Sequence, residues 1–265
     1  IRRRASAVSL MVKTTLPALA LILFTIAQPV QASLFSVEGD ARDLKSNRLL
    51  YREVHLVRRN NDTPVERIVL YRCPNGVAFA RKRVVYRSST LAPEFELVDA
   101  RGYGEGLRRE RGQPTLWSGS DAPKSIGTSR TTLVADAGFD EFLRQRWTPL
   151  TAGRPQSLAF AVPALGRSLP FKIRSTGVGG NGEDRVQRFE LRLDGLLGAL
   201  TSAISLEYDA EDRHLRRFTG LTNIRDARGE QLSASIEFPK APQPADAQRW
   251  QAAAELPLAA CALGR

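Results

Sequence analysis

The sequence predicts a mainly β protein, in which one curved antiparallel sheet or half-barrel surrounds a single central amphipathic helix. Short segments of alternating apolar and polar residues recur along the chain, and turn-forming residues separate them. Only residues 136–150 carry a clear helical stripe, which is formed by Phe139, Phe142, Leu143, Trp147 and Leu150. Strand patterns precede and follow this stripe, and a sheet of that length must curl or close. We therefore expect the helix to pack into the concave face of the sheet.

The first 32 residues have the pattern of a secretory signal peptide, with residues 1–10 as a candidate upstream extension before Met11. A basic start is followed by an apolar run at residues 16–27, which is short for a membrane span. Val30-Gln31-Ala32 then supplies the small-x-small pattern of a cleavage site. We expect cleavage before Ser33, a periplasmic or secreted protein, and no transmembrane helix in the mature chain. The alternative is an uncleaved N-terminal anchor.

The charge of the chain favours anionic neighbours in general. The formal net charge is +11, and removal of the four cations of the signal region lowers it to +7. Such a surface attracts anionic lipid head groups. Because acidic residues are interspersed throughout, we interpret the charge first as an ordinary solvated surface. Nucleic acid is not an expected partner of an exported protein.

The pattern of the first half of the mature chain predicts a meander of long strands. These are predicted at residues 35–41, 49–59, 65–73, 77–87, 95–101, 104–111 and 115–118. Asn75-Gly76 is typical of a tight hairpin turn between two of them. Asp136 is a candidate N-cap of the helix, and Thr148-Pro149 is expected to end it.

The second half resumes the strand pattern after the helix. Strands are predicted at residues 157–163, 169–175, 185–193, 203–208, 214–218, 221–224 and 232–238, and the apolar residues 196–206 are interpreted as a helical turn leading into a strand. We expect a single β-rich domain over residues 33–239. Residues 240–265 are predicted to be a tail rich in Pro and Ala.

No motif in the sequence indicates catalysis, a cofactor or a metal. His55 and His214 are the only histidines, and neither belongs to a His-x-His or Cys-x-x-Cys pattern. Neither a Gly-x-Ser-x-Gly motif nor a phosphate-binding glycine loop is present. Cys73 and Cys261 are either a disulfide of an exported protein or two free thiols. We therefore expect a protein that is not an enzyme and carries no cofactor.

The aromatic residues of the helix and of later strands form the candidate binding site. They form either a filled core or the lining of a cleft beside the helix. The candidate ligand-binding residues are Phe139, Phe142, Leu143, Trp147, Phe160 and Phe171. The expected ligand is a lipid or another apolar or amphiphilic envelope molecule, with arginines at the rim meeting an anionic head group.

Two other functions stay open. The first is a structural or protein-interaction module of the cell envelope, with a filled core and an envelope protein as partner. The second is a hydrolase without a recognisable motif, which requires His55 or His214 to meet a carboxylate or a nucleophile in space.

Several segments resemble those of a group of uncharacterised exported proteins of proteobacteria. They are Leu50-Tyr51-Arg52-Glu53, Asp136-Ala137-Gly138-Phe139-Asp140, Phe160-Ala161-Val162-Pro163 and Gly220-Leu221-Thr222-Asn223-Ile224-Arg225-Asp226. The resemblance covers roughly residues 37–239, and it implies no activity and no catalytic residue. In architecture alone, the order of strands, helix and strands is similar to that of lipoprotein carriers and receptors of the Gram-negative envelope.

Overall fold

The computed structural model describes residues 1, 32–127, 130–195 and 202–263. Most of the predicted signal peptide and the predicted helical turn after residue 195 therefore lie outside the described residues. Sixteen strands are described: β1 Ser33–Asp43, β2 Leu49–Asn60, β3 Thr63–Arg72, β4 Ala78–Val85, β5 Glu94–Asp99, β6 Gly104–Glu110, β7 Gln113–Ser118, β8 Lys124–Ser125, β9 Leu133–Val134, β10 Gln156–Val162, β11 Arg167–Gly179, β12 Val186–Leu193, β13 Ile204–Asp209, β14 Leu215–Arg225, β15 Gln231–Glu237 and β16 Gln243–Pro244.

The helices are few and short in the described part of the chain. They are α1 Gly138–Gln145, α2 Trp147–Thr151 and α3 Ala247–Glu255, with single 3₁₀ turns at Pro163–Leu165 and Gly182–Asp184. None of the described helices is long and apolar enough to cross a membrane.

All the described strands belong to one sheet, which confirms the predicted fold class. The strand order is β8-β7-β6-β5-β4-β3-β2-β1-β15-β14-β13-β12-β11-β10-β9, with β16 paired to β1. Neighbours are antiparallel except β9 and β10, which are parallel. The two meanders join where β1 pairs with β15, so that Asp40 lies opposite Glu237 and Asp43 opposite Ala234. The two halves are thus continuous.

The sheet curves until residues from its two ends pack together. Phe95 of β5, Leu107 of β6 and Leu116 of β7 form one buried cluster with Ala135, which precedes α1, and Ala161 of β10. These strands are far apart in the strand order, so only a strongly curved sheet brings them into contact. The concave face is covered by α1 and α2.

The central helix differs from its prediction at both ends. Asp136 has a left-handed φ of 43°, and Ala137 is the N-cap residue. The Asp136 carboxylate accepts hydrogen bonds from Ala137 N and Lys82 Nζ instead of capping the helix. Pro149 does not end the helix. It lies in the first turn of α2, where a backbone N–H has no helical partner and its loss costs little.

The C-terminal segment contains a helix that the sequence pattern did not reveal. In α3, Trp250 and Ala253 pack against Leu56 of β2 and Ile68 of β3 on the face of the sheet opposite α1. The Asp246 side chain caps α3 by accepting from Arg249 N. The predicted tail is therefore an ordered strap that covers the outside of the first meander.

A disulfide joins the same segment to the sheet. Cys73 at the end of β3 is bonded to Cys261, 188 residues later in the sequence. Both cysteines belong to a cluster that includes Tyr51, Tyr71 and Phe79. The bridge therefore fastens the C-terminal strap to the first hairpin.

The close contact between Gly138 and the β4–β5 connection gives a test of how α1 is seated. A Cβ at residue 138 would lie 2.0 Å from the carbonyl oxygen of Leu91, whereas a Cβ at Gly127 would meet nothing within 4 Å. We expect Gly138→Ala to lower the free energy of unfolding by about 1–3 kcal/mol, the usual cost of overpacking.

Gly127→Ala is the control and should change stability by less than about 0.5 kcal/mol. Urea unfolding measures both variants. Equal stability of the two would contradict this seating of the helix.

Candidate binding site

A cavity lies between the N-terminal end of α1 and the concave face of the sheet. We call it the apolar cavity; its volume is about 280 Å³. Much of its wall comes from the second meander and the helix, through apolar side chains that include Phe139, Phe160, Leu206, Leu215, Phe218 and Phe238. The opposite part of the wall is charged, and comes from β2, β3, β4, β6 and the start of α1. Its charged or ionisable residues are Glu53, His55, Arg67, Lys82, Glu105, Asp136 and Asp140.

The strand register places the charged residues together. Val69 of β3 lies opposite both His55 of β2 and Lys82 of β4. Alternation along β3 puts Arg67 and Val69 on the same face of the sheet. Polar residues at alternate positions of three neighbouring strands therefore face the interior.

Asp140 joins the two halves of the sheet through the helix. Its Oδ2 accepts a hydrogen bond from Arg67 Nη2 of β3 at 3.1 Å, and its Oδ1 accepts one from the Tyr208 hydroxyl of β13 at 2.8 Å. Burial favours a higher pKa for Asp140. The charges of Arg67 and Arg144 and the hydrogen bond from Tyr208 outweigh it, so that the pKa lies below its usual value. Asp140 is thus ionised at neutral pH.

A second buried ion pair and a buried acid complete the charged wall. Lys82 Nζ donates to Asp136 Oδ2 at 2.8 Å. Glu105 accepts from the Tyr103 hydroxyl at 2.6 Å, and its side chain is only 5% exposed. Burial raises the pKa of Glu105, although the hydrogen bond from Tyr103 and the charge of Arg225 oppose the shift.

Both histidines meet a carboxylate. His55 Nε2 lies 2.7 Å from Glu53 Oε2, and the ring packs edge-on against Phe238. His214 Nδ1 is hydrogen-bonded to Asp212 Oδ1, while its buried Nε2 has no partner among the described residues. Among these residues, no hydroxyl or thiol is hydrogen-bonded to either ring, and both cysteines are oxidised.

Among the described residues, one group of side chains could hold a metal ion, and it forms a polar turn. Single ligand atoms of Asp209, Asp212 and His214 lie within 4.8 Å of one another. Asp209 Oδ1 already accepts from the backbone N–H groups of Glu211 and Asp212, as expected for an Asx-type turn. The hydrogen bonds of the turn therefore account for the arrangement.

The six candidate residues occupy three different places. Phe139 and Phe160 line the apolar cavity, and their rings meet edge-on with centroids 6.4 Å apart. Phe171 packs edge-on against Phe160, one layer away from the cavity. The others, Phe142, Leu143 and Trp147, are buried in the core cluster behind the helix. Ligand contact stays a prediction for all six.

Trp147, the first residue of α2, lies at the filled end of the α1–α2 pair. Its ring packs edge-on against Phe189 and Tyr208, with centroid distances of 5.3 and 6.3 Å. Trp147 lines neither the apolar cavity nor the second, larger cavity described below. The open space lies at the other end, beside Phe139. The helix is therefore a core element at its C-terminal end and a cavity wall at its N-terminal end.

A larger cavity adjoins the apolar cavity. We call it the arginine cavity, because Arg59, Arg67, Arg144 and Arg213 line it; its volume is about 600 Å³. It shares part of its wall with the apolar cavity, through His55, Arg67, Asp140, Leu215 and Phe238.

Removal of the Asp140 charge should destabilise the protein at neutral pH. In Asp140→Asn, Arg67 keeps a buried charge without its counter-ion, which typically costs about 3–5 kcal/mol. The control is Asp194→Asn, which breaks an exposed pair with Lys172 and should cost less than about 1 kcal/mol. Urea unfolding at neutral pH compares the two variants.

The same pair predicts a pH dependence. Because the folded-state pKa of Asp140 is lowered, its contribution to stability is complete above the unfolded pKa of about 3.9 and is lost as the pH falls through the folded value. The stability gap between the wild type and Asp140→Asn should therefore narrow below about pH 4. A gap that widens on acidification would contradict the ion pair.

Comparison with known proteins adds no activity to this geometry. No protein-family model and no curated protein matches the sequence. Among solved structures, the fold is similar to one described as a beta-barrel-like protein of the domain of unknown function DUF1849 from Brucella abortus. The TM-score is 0.44 at 10% sequence identity, over 81% of this chain and 97% of that chain.

Proposed function

We propose that the protein is a non-enzymatic binding protein of the bacterial envelope, and that the apolar cavity takes the apolar part of an amphiphilic ligand. The observation that carries the proposal is the composition of that cavity. Much of its wall is aromatic and aliphatic, with Phe139, Phe160 and Phe218 among its residues. A preformed concave site with an apolar lining and a few polar groups is the usual form of a small-molecule site.

The choice of a non-enzymatic role rests on the surroundings of the histidines. Each ring pairs with a carboxylate, which meets half of the requirement for a hydrolase. A nucleophile within hydrogen-bonding reach is the other half, and none accompanies either ring among the described residues. The His55–Glu53 pair instead forms part of the cavity wall.

The alternative of a structural or protein-interaction module is less well supported. That alternative predicts a filled core, and the interior around Trp147 is filled. The space beside Phe139 has no structural purpose on that account, because unfilled volume reduces stability.

Export is part of the same proposal. The signal-peptide pattern is accompanied by the Cys73–Cys261 bridge, and disulfides persist mainly in oxidising compartments. Mass spectrometry of the protein isolated from the periplasm should find Ser33 as its first residue. A cytoplasmic protein that retains its N-terminal segment would contradict export.

Substitutions that fill the apolar cavity test ligand binding. We expect Ala161→Phe and Ile204→Trp, both in the cavity wall, to weaken binding of the neutral apolar dye N-phenyl-1-naphthylamine at least about tenfold, because either ring occupies the space of the ligand. Fluorescence titration of the purified protein measures the binding.

The matched control is Leu165→Trp. This residue is exposed and does not line the cavity. Circular dichroism and thermal unfolding show whether each variant is folded. Two cavity variants are used, so that the test still stands if one of them does not fold. Equal dye binding by the control and the folded cavity variants would contradict the proposal, as would a wild-type protein that binds no dye.

A further inference from the structure

We infer that the ligand is a single-chain amphiphile with an anionic head group, whose chain lies in the apolar cavity and whose head group lies in the arginine cavity. This inference rests on the proposed function and adds the chemical class of the ligand. It follows from three features: the junction of the two cavities, the balance of charge between them, and their sizes.

The two cavities meet at a common wall. Leu215 and Phe238 provide its apolar part, and Arg67, His55 and Asp140 its polar part. A molecule that crosses this wall therefore passes from an apolar lining to a polar one over the width of a few side chains. An apolar surface followed by a polar one suits an amphiphile, because each portion of the molecule then meets a surface of its own polarity.

The deep part of the arginine cavity has more cationic than anionic groups. Glu141 Oε1 is shared by Arg59 at 3.4 Å and Arg144 at 2.9 Å, and Asp140 pairs with Arg67 at 3.1 Å. Within the described part of the chain, these three guanidinium groups have two carboxylates as ion-pair partners. One further anionic group would balance the cluster, and guanidinium groups suit carboxylates and phosphates because they offer several donors in one plane.

The surroundings of Arg59 and Arg67 show which donor is left without an acceptor. Burial, followed by the nearby charge of Arg144, lowers the pKa of Arg59, whereas burial of Arg67 is outweighed by the charges of Tyr86 and Asp140, which raise its pKa. Arg67 Nε is buried and has no hydrogen-bond acceptor among the described residues. The side chains of Arg59 and Arg67 are only 20% and 10% exposed, so solvent screens them weakly.

The remaining charges lie at the mouth of the cavity. Arg213 is exposed and its guanidinium stands 5.2 Å from the centroid of the Trp147 ring. The acids Asp62, Glu211 and Asp212 line the same mouth and are exposed. Because exposed charges are screened by water and salt, their effect on a bound head group is smaller than that of the buried arginines.

The volume of the apolar cavity limits the number of chains. At about 280 Å³ it lies just below the usual range for small-molecule sites, which is roughly 300–1,000 Å³. One hydrocarbon chain suits such a space, whereas the two or three chains of a larger lipid do not. The larger arginine cavity, at about 600 Å³, suits a hydrated polar group.

Competition against N-phenyl-1-naphthylamine tests the inference with a set of amphiphiles. The single-chain members are used below their critical micelle concentrations, and the two-chain member is supplied on a soluble cyclodextrin carrier. Palmitate carries a carboxylate and palmitoyl lysophosphatidylglycerol a phosphate, so the pair distinguishes the two sources of negative charge. Monopalmitoylglycerol, cetyltrimethylammonium and dipalmitoyl phosphatidylglycerol are the neutral, cationic and two-chain controls. We expect at least one single-chain anion to displace the dye about tenfold more effectively than each of the three controls.

Two variants connect that preference to the arginines. Arg59→Gln and Arg144→Gln should each weaken binding of the preferred anion about tenfold and leave that of monopalmitoylglycerol unchanged. Arg174→Gln is the control, because Arg174 is an exposed arginine of β11 that pairs with Glu190 and lines neither cavity.

The outcomes separate the inference from the proposed function. The inference is overturned if the neutral, cationic or two-chain amphiphile competes as well as both anions, or if Arg174→Gln weakens binding as much as the cavity variants do. In either case, the proposed function still stands if Ala161→Phe and Ile204→Trp lose dye binding. Failure of the dye and of every amphiphile to bind rejects both.

Discussion

The buried carboxylate of Asp140 is the interaction on which the interior of the protein depends. It accepts hydrogen bonds from Arg67 of the first meander and from Tyr208 of the second, and it belongs to the helix between them. Burial of an ion pair is favourable only when good geometry and additional hydrogen bonds compensate for the loss of water. Here the Tyr208 hydroxyl supplies that additional bond. The two halves of one long sheet are therefore joined through this side chain as well as by the β1–β15 pairing.

This polar attachment explains why the two ends of the helix differ. Behind α1, Phe142 and Leu143 pack into a continuous apolar core, and Trp147 at the start of α2 closes it. At the N-terminal end, Asp136 and Asp140 require polar partners, so β3 and β4 present Arg67 and Lys82 instead of apolar side chains. Apolar packing cannot continue across these charges, and an open space with one apolar and one charged wall remains beside Phe139. The same constraint that seats the helix therefore creates the candidate site.

Much of the sheet could be predicted from the sequence, because alternation and turn residues are local signals. The turn at Asn75-Gly76 and the strand β3 both appear in the structure. The helix α3 was not apparent, since an Ala-rich segment with a single Trp has little amphipathic pattern. The apolar residues Ile68 and Leu70, on the face of β3 opposite Arg67, were the sign in the sequence that something covers the outside of the sheet, and both are buried. The disulfide could not be inferred from spacing, because its cysteines are 188 residues apart.

The candidate site was predictable only in part, for a related reason. Aromatic residues at helical spacing identify the buried face of a helix, but the spacing does not distinguish Phe139 at the cavity from Trp147 in the core. That distinction is made by Arg67 and Asp140, which are 73 residues apart in the sequence. An arginine on an alternating strand resembles an ordinary exposed residue until its partner is known. The polar half of the site therefore became visible only in three dimensions.

The most direct test of the central claim is to observe a ligand chain inside the sheet. Intermolecular methyl NOEs, recorded on the Leu- and Ile-labelled protein with palmitoyl lysophosphatidylglycerol or palmitate, report which side chains contact the chain. We expect NOEs to Ile204, Leu206 and Leu215 at the apolar cavity, and none to Leu150 or Leu158 in the core. NOEs confined to the exposed Leu44 and Leu165, with none at the cavity, would contradict it.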